Sequence, residues 1–145
     1  MSKVRDILQL KGTQILAMHP DASVLDAAIL MNDHKVGSVV VSDHGQLAGI
    51  FTERDILRRV VAQQYPPATT KLYDVMTTDV VCCELDTPLD TARKVMMHRR
   101  VRHLPVLDER QQLAGIISIG DLNAYRLEGQ EVQIHMLKEY LYGRV

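Results

Sequence analysis

Gly49-Ile50-Phe51-Thr52-Glu53-Arg54-Asp55 and Gly115-Ile116-Ile117-Ser118-Ile119-Gly120-Asp121 are two versions of one phrase. Each is a glycine, two apolar residues, a hydroxyl and, three residues further, an aspartate. Leu-Ala precedes both, as Leu47-Ala48 and Leu113-Ala114. An internal repeat fixes the architecture before any local reading is made. Outward from the phrase, a spacing of 65 residues takes Ser23 to Pro88, Ala27 to Ala92, Met31 to Met96, Val36 to Val101 and Asp43 to Asp108. Beyond Asp43 the spacing is 66, because Asp43-His44-Gly45-Gln46 is answered by the longer Asp108-Glu109-Arg110-Gln111-Gln112. A hairpin loop tolerates such an insertion.

Each copy predicts strand, helix, strand, strand, helix. Ser23 followed by Asp26, and Thr87 followed by Pro88 and Asp90, are helix-start signals. Leu25, Ala28 and Met31 then recur at helical spacing, as do Leu89, Ala92 and Met96. Val39-Val40-Val41 with Leu47 to Phe51, and Pro105-Val106-Leu107 with Leu113 to Ile117, read as hairpins. A second helix starts at each hydroxyl, carrying Ile56, Val60 and Val61 in one copy and Leu122, Tyr125 and Leu127 in the other. The fold class is therefore α+β, a tandem of pseudo-twofold βαββα repeats with a C-terminal helix. The divisions are 1–65, the first repeat with its N-terminal segment; 66–71, a linker holding Pro66-Pro67 and Thr69-Thr70; 72–128, the second repeat; and 129–145. One repeat alone has a small core and an apolar face to cover, which a second copy can supply. The last stretch carries Ile134, Leu137 and Leu141 at helical spacing, suited to covering its own domain or packing on a partner subunit.

Composition narrows the function. Seventeen basic and eighteen acidic residues leave a net charge of −1, so no general attraction to nucleic acid or an anionic membrane is expected. No apolar stretch approaches the roughly 20 residues of a membrane span, and Asp6, Gln9 and Lys11 interrupt any signal-peptide core. Cys82-Cys83 are neighbours on an expected strand and point to opposite faces. They read as one buried and one half-buried thiol in a reducing cytoplasm. The six histidines have no metal-ligand spacing, so no metal is expected. No phosphate-cradling glycine loop and no nucleophile motif is present; a catalytic role is not expected.

With these residues in view, the span from Val4 to Tyr125 resembles a CBS-domain pair, the module also called a Bateman domain. The marks are the two phrases above, Asp74-Val75-Met76-Thr77 opening the second copy, and Arg102-His103-Leu104-Pro105-Val106 on its second strand. The first copy departs from the opening motif, with Leu10-Lys11-Gly12-Thr13 where Val75-Met76-Thr77-Thr78 stands in the second. The chain looks like a stand-alone CBS-pair protein, similar to small bacterial and plant-organelle members. The resemblance implies a flat homodimer, a regulated partner protein, and an adenine-containing regulatory ligand (AMP, ADP, ATP, NAD or S-adenosylmethionine) with no catalytic cofactor.

The candidate site residues have two readings each. Thr52 with Asp55, and Ser118 with Asp121, fit capping boxes, which contribute about 1 kcal/mol each. They also fit a nucleotide: a helix N-terminus suits phosphate, and a carboxylate accepts from two ribose hydroxyls. The resemblance implies that Asp55 and Asp121 hold ribose while Thr52 and Ser118 contact phosphate or ribose. Arg99, Arg100, Arg102 and His103 are the densest positive cluster, either cations at a helix C-terminus or phosphate ligands. Arg54, Arg58 and Arg59 read as a solvated helix face. The adenine slot implied by the resemblance uses Thr13, Ile15 and Leu16 with Val36, Gly37 and Ser38. In the second copy it uses Thr78, Val80 and Val81 with Arg102, His103, Leu104 and Pro105. The rival functions are a pure interaction module, in which the phrases are caps only, and an enzyme acting on a nucleotide.

Overall fold

The structure is a computed structural model and describes residues 2–128. The C-terminal helix expected after Gly129, and the side chain of Leu127, lie outside the described residues. Two compact units divide the chain, one formed by Ile15–Val80 and the other by residues 2–14 together with 81–128.

In the first unit a three-stranded sheet has the order β1-β2-β3, from β1 (Ala17–Met18), β2 (Ser38–Asp43) and β3 (Gln46–Thr52). β1 runs parallel to β2 and β2 antiparallel to β3, with Ser38 opposite Thr52. The hairpin closes through His44 and Gly45, both at positive φ (53° and 81°), the two-residue turn whose twist matches its strands. Helix α2 (Val24–His34) crosses between β1 and β2. Ser23 caps it, its hydroxyl accepting from the Asp26 N–H. The helix buries Val24, Ala27 and Met31 rather than the Leu25 face, and Leu25 is exposed. The expected linker is tied to this helix: the Val24 and Leu25 N–H groups donate to Thr70 O and Pro67 O. After β3 the chain forms α3 (Glu53–Asp55), runs on as a π-helical turn (Ile56–Val61), and returns through α4 (Leu72–Val75). Phe51, Val60, Leu72 and Val75 close the core with Val39 and Val41.

The second unit repeats this plan with β4 (Cys83–Glu84), α5 (Leu89–Arg99), β5 (His103–Leu107), β6 (Leu113–Ser118) and α6 (Ile119–Glu128). Its sheet order is β4-β5-β6, and His103 opposite Ser118 reproduces the register of Ser38 opposite Thr52. A register irregularity also recurs, at Val41/Ser42 and at Val106/Leu107. The extra turn residue is absorbed by Asp108, whose side chain accepts from the N–H groups of Arg110 and Gln112. Thr87 does not cap α5. Its hydroxyl accepts from Glu84 N, Pro88 holds the cap position without a side-chain bond, and the Leu89 N–H donates to Ser2 O.

One element lies apart from its place in the chain. Helix α1 (Val4–Lys11) precedes the first unit in the chain, and its Val4, Ile7 and Leu8 are buried in the core of Leu104, Val106, Ile117 and Leu122. Likewise Leu72, Val75 and Met76, which open the second copy, belong to the core of the first unit. Helical spacing says which face of a segment is apolar; it does not say which core receives it.

Candidate functional site

The hydroxyl and the aspartate of each phrase are brought together by the strand-to-helix junction. In the first unit the Thr52 N–H donates to Asp55 Oδ2 at 3.0 Å, and the Asp55 N–H donates to Thr52 Oγ1 at 3.2 Å. In the second, Ser118 N donates to Asp121 Oδ2 at 2.9 Å and Asp121 N donates to Ser118 Oγ at 3.0 Å. The capping reading therefore holds at both. These carboxylates are nevertheless unusually enclosed, 5% exposed for Asp55 and 2% for Asp121. A buried carboxylate needs partners beyond one amide.

The two units supply different partners. Beside Asp55 stands the Thr77 hydroxyl, 3.1 Å from Oδ1 and 3.3 Å from Oδ2. It is placed there by a two-way backbone bridge, Thr77 N to Ile50 O and Ile50 N to Thr77 O. Gly49 makes this approach possible, since a Cβ there would lie 2.7 Å from Thr77 O. The Arg59 guanidinium sits 3.6 Å from Asp55 Oδ1 and donates to Met76 O, and the Arg59 side chain is 52% exposed. Among the described residues the opening segment offers Asp121 no such hydroxyl, because Gly12 (φ 91°) stands at the position equivalent to Thr77. The Lys11 ammonium is there instead, 2.6 Å from Asp121 Oδ2 and 2.9 Å from Ile116 O, with its side chain only 8% exposed. One lysine thus replaces both the threonine hydroxyl on the carboxylate and the backbone donor on the strand carbonyl.

Arg59 lies on the exposed helix face the sequence predicts, and from four residues on it also approaches Asp55. Lys11 and Thr77 are partners the sequence shows only as a departure between the two opening motifs. Arg54 and Arg58 are exposed. Arg99 ends α5, and Arg100, at φ 56°, is its C-cap, which is the macrodipole placement. Arg102 is exposed and offers its carbonyl to Ile119 N, the bond that Gly37 O makes with Glu53 N in the first unit. His103 is half-buried at the start of β5.

The residues named for an adenine slot divide between the units. Ile15, Leu16, Val36, Gly37 and Ser38 share a unit with Asp55, as do Thr78 and Val80; Val81, Leu104 and Pro105 share one with Asp121, as does Thr13. Val36, Gly37, Ile15 and Leu16 are half-buried, whereas Ser38, Leu104 and Pro105 are buried and Thr13 and Thr78 exposed. The Glu53 carboxylate lies over Gly37, its Cδ 3.4 Å from where a Cβ would stand.

Away from these junctions, burial pushes the Cys83 thiol up to about 12, helped by Cys82 and Glu84, and burial also raises Cys82, which is half-buried. Among the described residues no group of His, Cys, Asp and Glu could hold a metal ion, and no helix is long and apolar enough to cross a membrane.

Two α+β units of one plan, each with an enclosed hydroxyl–carboxylate junction after its last strand, define a tandem-repeat module. The CBS domain family model matches residues 4–62 and 72–128, and the chain belongs to the CBS-domain family. It is 33% identical over 130 residues to CBS domain-containing protein YhcV of Bacillus subtilis (strain 168), spanning 90% of this chain and 89% of that protein. The CBS-domain containing protein ATU1752 from Agrobacterium tumefaciens is similar in structure, with TM-score 0.79, 40% identity, and coverage of 86% of this chain and 99% of that one. So is the CBS domain pair of protein MJ0100, solved with 5′-methylthioadenosine and S-adenosyl-L-methionine, at TM-score 0.75, 28% identity and coverage of 89% and 97%.

Proposed function

We propose that the protein is a cytoplasmic, non-catalytic regulator that binds an adenine-containing nucleotide and signals its level to another protein, working as a homodimer. The observation that carries this is the enclosed carboxylate at each junction, Asp55 and Asp121, paired with the hydroxyls Thr52 and Ser118. A carboxylate accepts from both hydroxyls of a ribose, and the adjacent hydroxyl and backbone donors suit phosphate or ribose. The related pair solved with two adenosyl ligands supports an adenosine-sized guest. The adenine is assigned to the half-buried stretch of Ile15, Leu16, Val36 and Gly37 with Ser38, Thr78 and Val80, or to Val81, Leu104 and Pro105 with Thr13 in the other unit. Arg99, Arg100, Arg102 and His103, which share a unit with Asp121, are proposed as phosphate ligands at that junction only. The signal is a population shift, whose size equals the ligand's preference for one arrangement of the chain over another.

The test is a thermal-shift and calorimetric series with AMP, ADP, ATP, NAD, NADH and S-adenosylmethionine, with 2′-deoxy-AMP as the control. A ligand at about 100 times its Kd adds about 2.7 kcal/mol, a shift of several degrees. Loss of the diol should weaken binding roughly ten- to a hundredfold. Equal binding of AMP and 2′-deoxy-AMP would remove ribose from the reading. A second reading, an interaction module without a ligand, is favoured by the complete capping boxes, and silence across the series would select it.

A further inference from the structure

We infer that Lys11 closes the Asp121 junction to a ribose diol, so that each chain has one nucleotide site, at Asp55. This rests on the nucleotide-binding reading above and decides between its two candidate carboxylates.

The two junctions are equivalent in sequence but not in how their carboxylates are occupied. Asp121 Oδ2 is shared by the Ser118 amide and the Lys11 ammonium, the latter at 2.6 Å. Both members of the pair are buried, at 8% and 2% exposure, and the amine is also fixed by Ile116 O. A diol that took this carboxylate from Lys11 would leave an ammonium buried with one carbonyl partner. Breaking a buried pair in this way costs enough to lower affinity on the order of a hundredfold or more. At Asp55 the competing group is the Thr77 hydroxyl, at 3.1 and 3.3 Å. A neutral hydroxyl is both donor and acceptor and can rotate to a ribose oxygen when it gives up the carboxylate. The cation at that junction, Arg59, is half in water and 3.6 Å away, so its displacement costs little. The helix after Asp55 also opens into a π-helical turn over Ile56–Val61, whereas α6 is α-helical from Ile119 to Glu128. Such turns recur at functional sites.

The deciding experiment is isothermal titration of the full chain with AMP, repeated with S-adenosylmethionine, for wild type, Asp55→Asn, Asp121→Asn and Lys11→Thr. Wild type should bind one ligand per chain. Asp55→Asn should lose roughly ten- to a hundredfold in affinity, and Asp121→Asn should change it less than about threefold. Lys11→Thr removes the ammonium and leaves a short neutral side chain in its place, and should raise the stoichiometry from one to two. Two ligands per wild-type chain, or a single site lost in Asp121→Asn and kept in Asp55→Asn, would overturn the inference while leaving nucleotide binding intact. A drop in AMP affinity in Lys11→Thr without a second site would make Lys11 a ligand contact and equally overturn it. No heat with any ligand in any protein would remove the nucleotide reading and this inference together. If Lys11→Thr fails to fold, the wild-type stoichiometry and the two asparagine variants still decide.

Discussion

Replacing Lys11 with methionine isolates the energetic asymmetry between the two junctions. Methionine keeps the length and most of the volume of the lysine stem, so the change removes a charge and two hydrogen bonds with little loss of packing. Asp121, 2% exposed, is left with the Ser118 amide on Oδ2 and no facing cation from Lys11. Removing one member of a buried pair typically costs about 3–5 kcal/mol, because the remaining charge is desolvated and uncompensated. For a chain of this size that is a fall in Tm of roughly 10 °C or more. Arg59→Met is the internal control: its side chain is 52% exposed and its Nε is 3.6 Å from Asp55 Oδ1, so the pair is worth at most about 1 kcal/mol. Urea denaturation of both variants, followed by far-UV circular dichroism, measures the two costs side by side. Adding Asp121→Asn to Lys11→Met should recover much of the loss, since it removes the stranded charge while retaining a polar cap. If Lys11→Met costs less than about 1 kcal/mol, or no more than Arg59→Met, the pair behaves as a surface ion pair and the reasoning from burial fails.

Three further outcomes follow from the same geometry. Gly49→Ala places a Cβ 2.7 Å from Thr77 O, a backbone atom held by the Ile50 bridge, and should cost about 2–3 kcal/mol. Gly115→Ala meets first the two Leu8 methyl groups, the far end of a flexible side chain, at 2.8 and 2.9 Å and should cost about 1 kcal/mol less in the same urea series. Thr52→Ala and Ser118→Ala each remove a cap and should lower stability by about 1 kcal/mol, with Thr52→Gly milder than Thr52→Ala. The Cys83 thiol is raised from 9.0 to about 12 in the folded chain, so the stability it contributes is complete below pH 9 and is lost as pH climbs from about 9 toward 12. Wild type should therefore lose stability over that range faster than Cys83→Ala, and at pH 8 a thiol reagent should label Cys82 well before Cys83.

How much of this was legible in the sequence follows from what a repeat can and cannot encode. Spacings of 65 and 66 residues, the paired hairpins and the Ser23 cap were readable because they depend on residues close in the chain. The destination of α1 was not, because Val4, Ile7 and Leu8 declare an apolar face and nothing about which core it enters. The exposure of Leu25 has a related cause: Leu25-Ala28-Met31 and Val24-Ala27-Met31 both fit helical spacing on α2, and the core it packs on buries the second set. The site shows the same division. Thr52, Asp55, Ser118 and Asp121 were legible because hydroxyl and carboxylate lie three residues apart. Their second partners were not, since Thr77 reaches Asp55 across 22 residues and Lys11 reaches Asp121 across 110.

The departure of Leu10-Lys11-Gly12-Thr13 from Val75-Met76-Thr77-Thr78 was visible in the sequence but lacked a consequence until the opening segments were seen against their carboxylates. The duplicated phrase conserves the acceptor in both units, while the partner that decides what else the acceptor can bind comes from the opening segment, where the two copies differ. A tandem repeat of this plan can therefore make its two junctions inequivalent by changing a residue far from either phrase. In this chain one threonine-to-glycine difference removes a rotatable hydroxyl, and the lysine beside it fills the gap with a fixed charge.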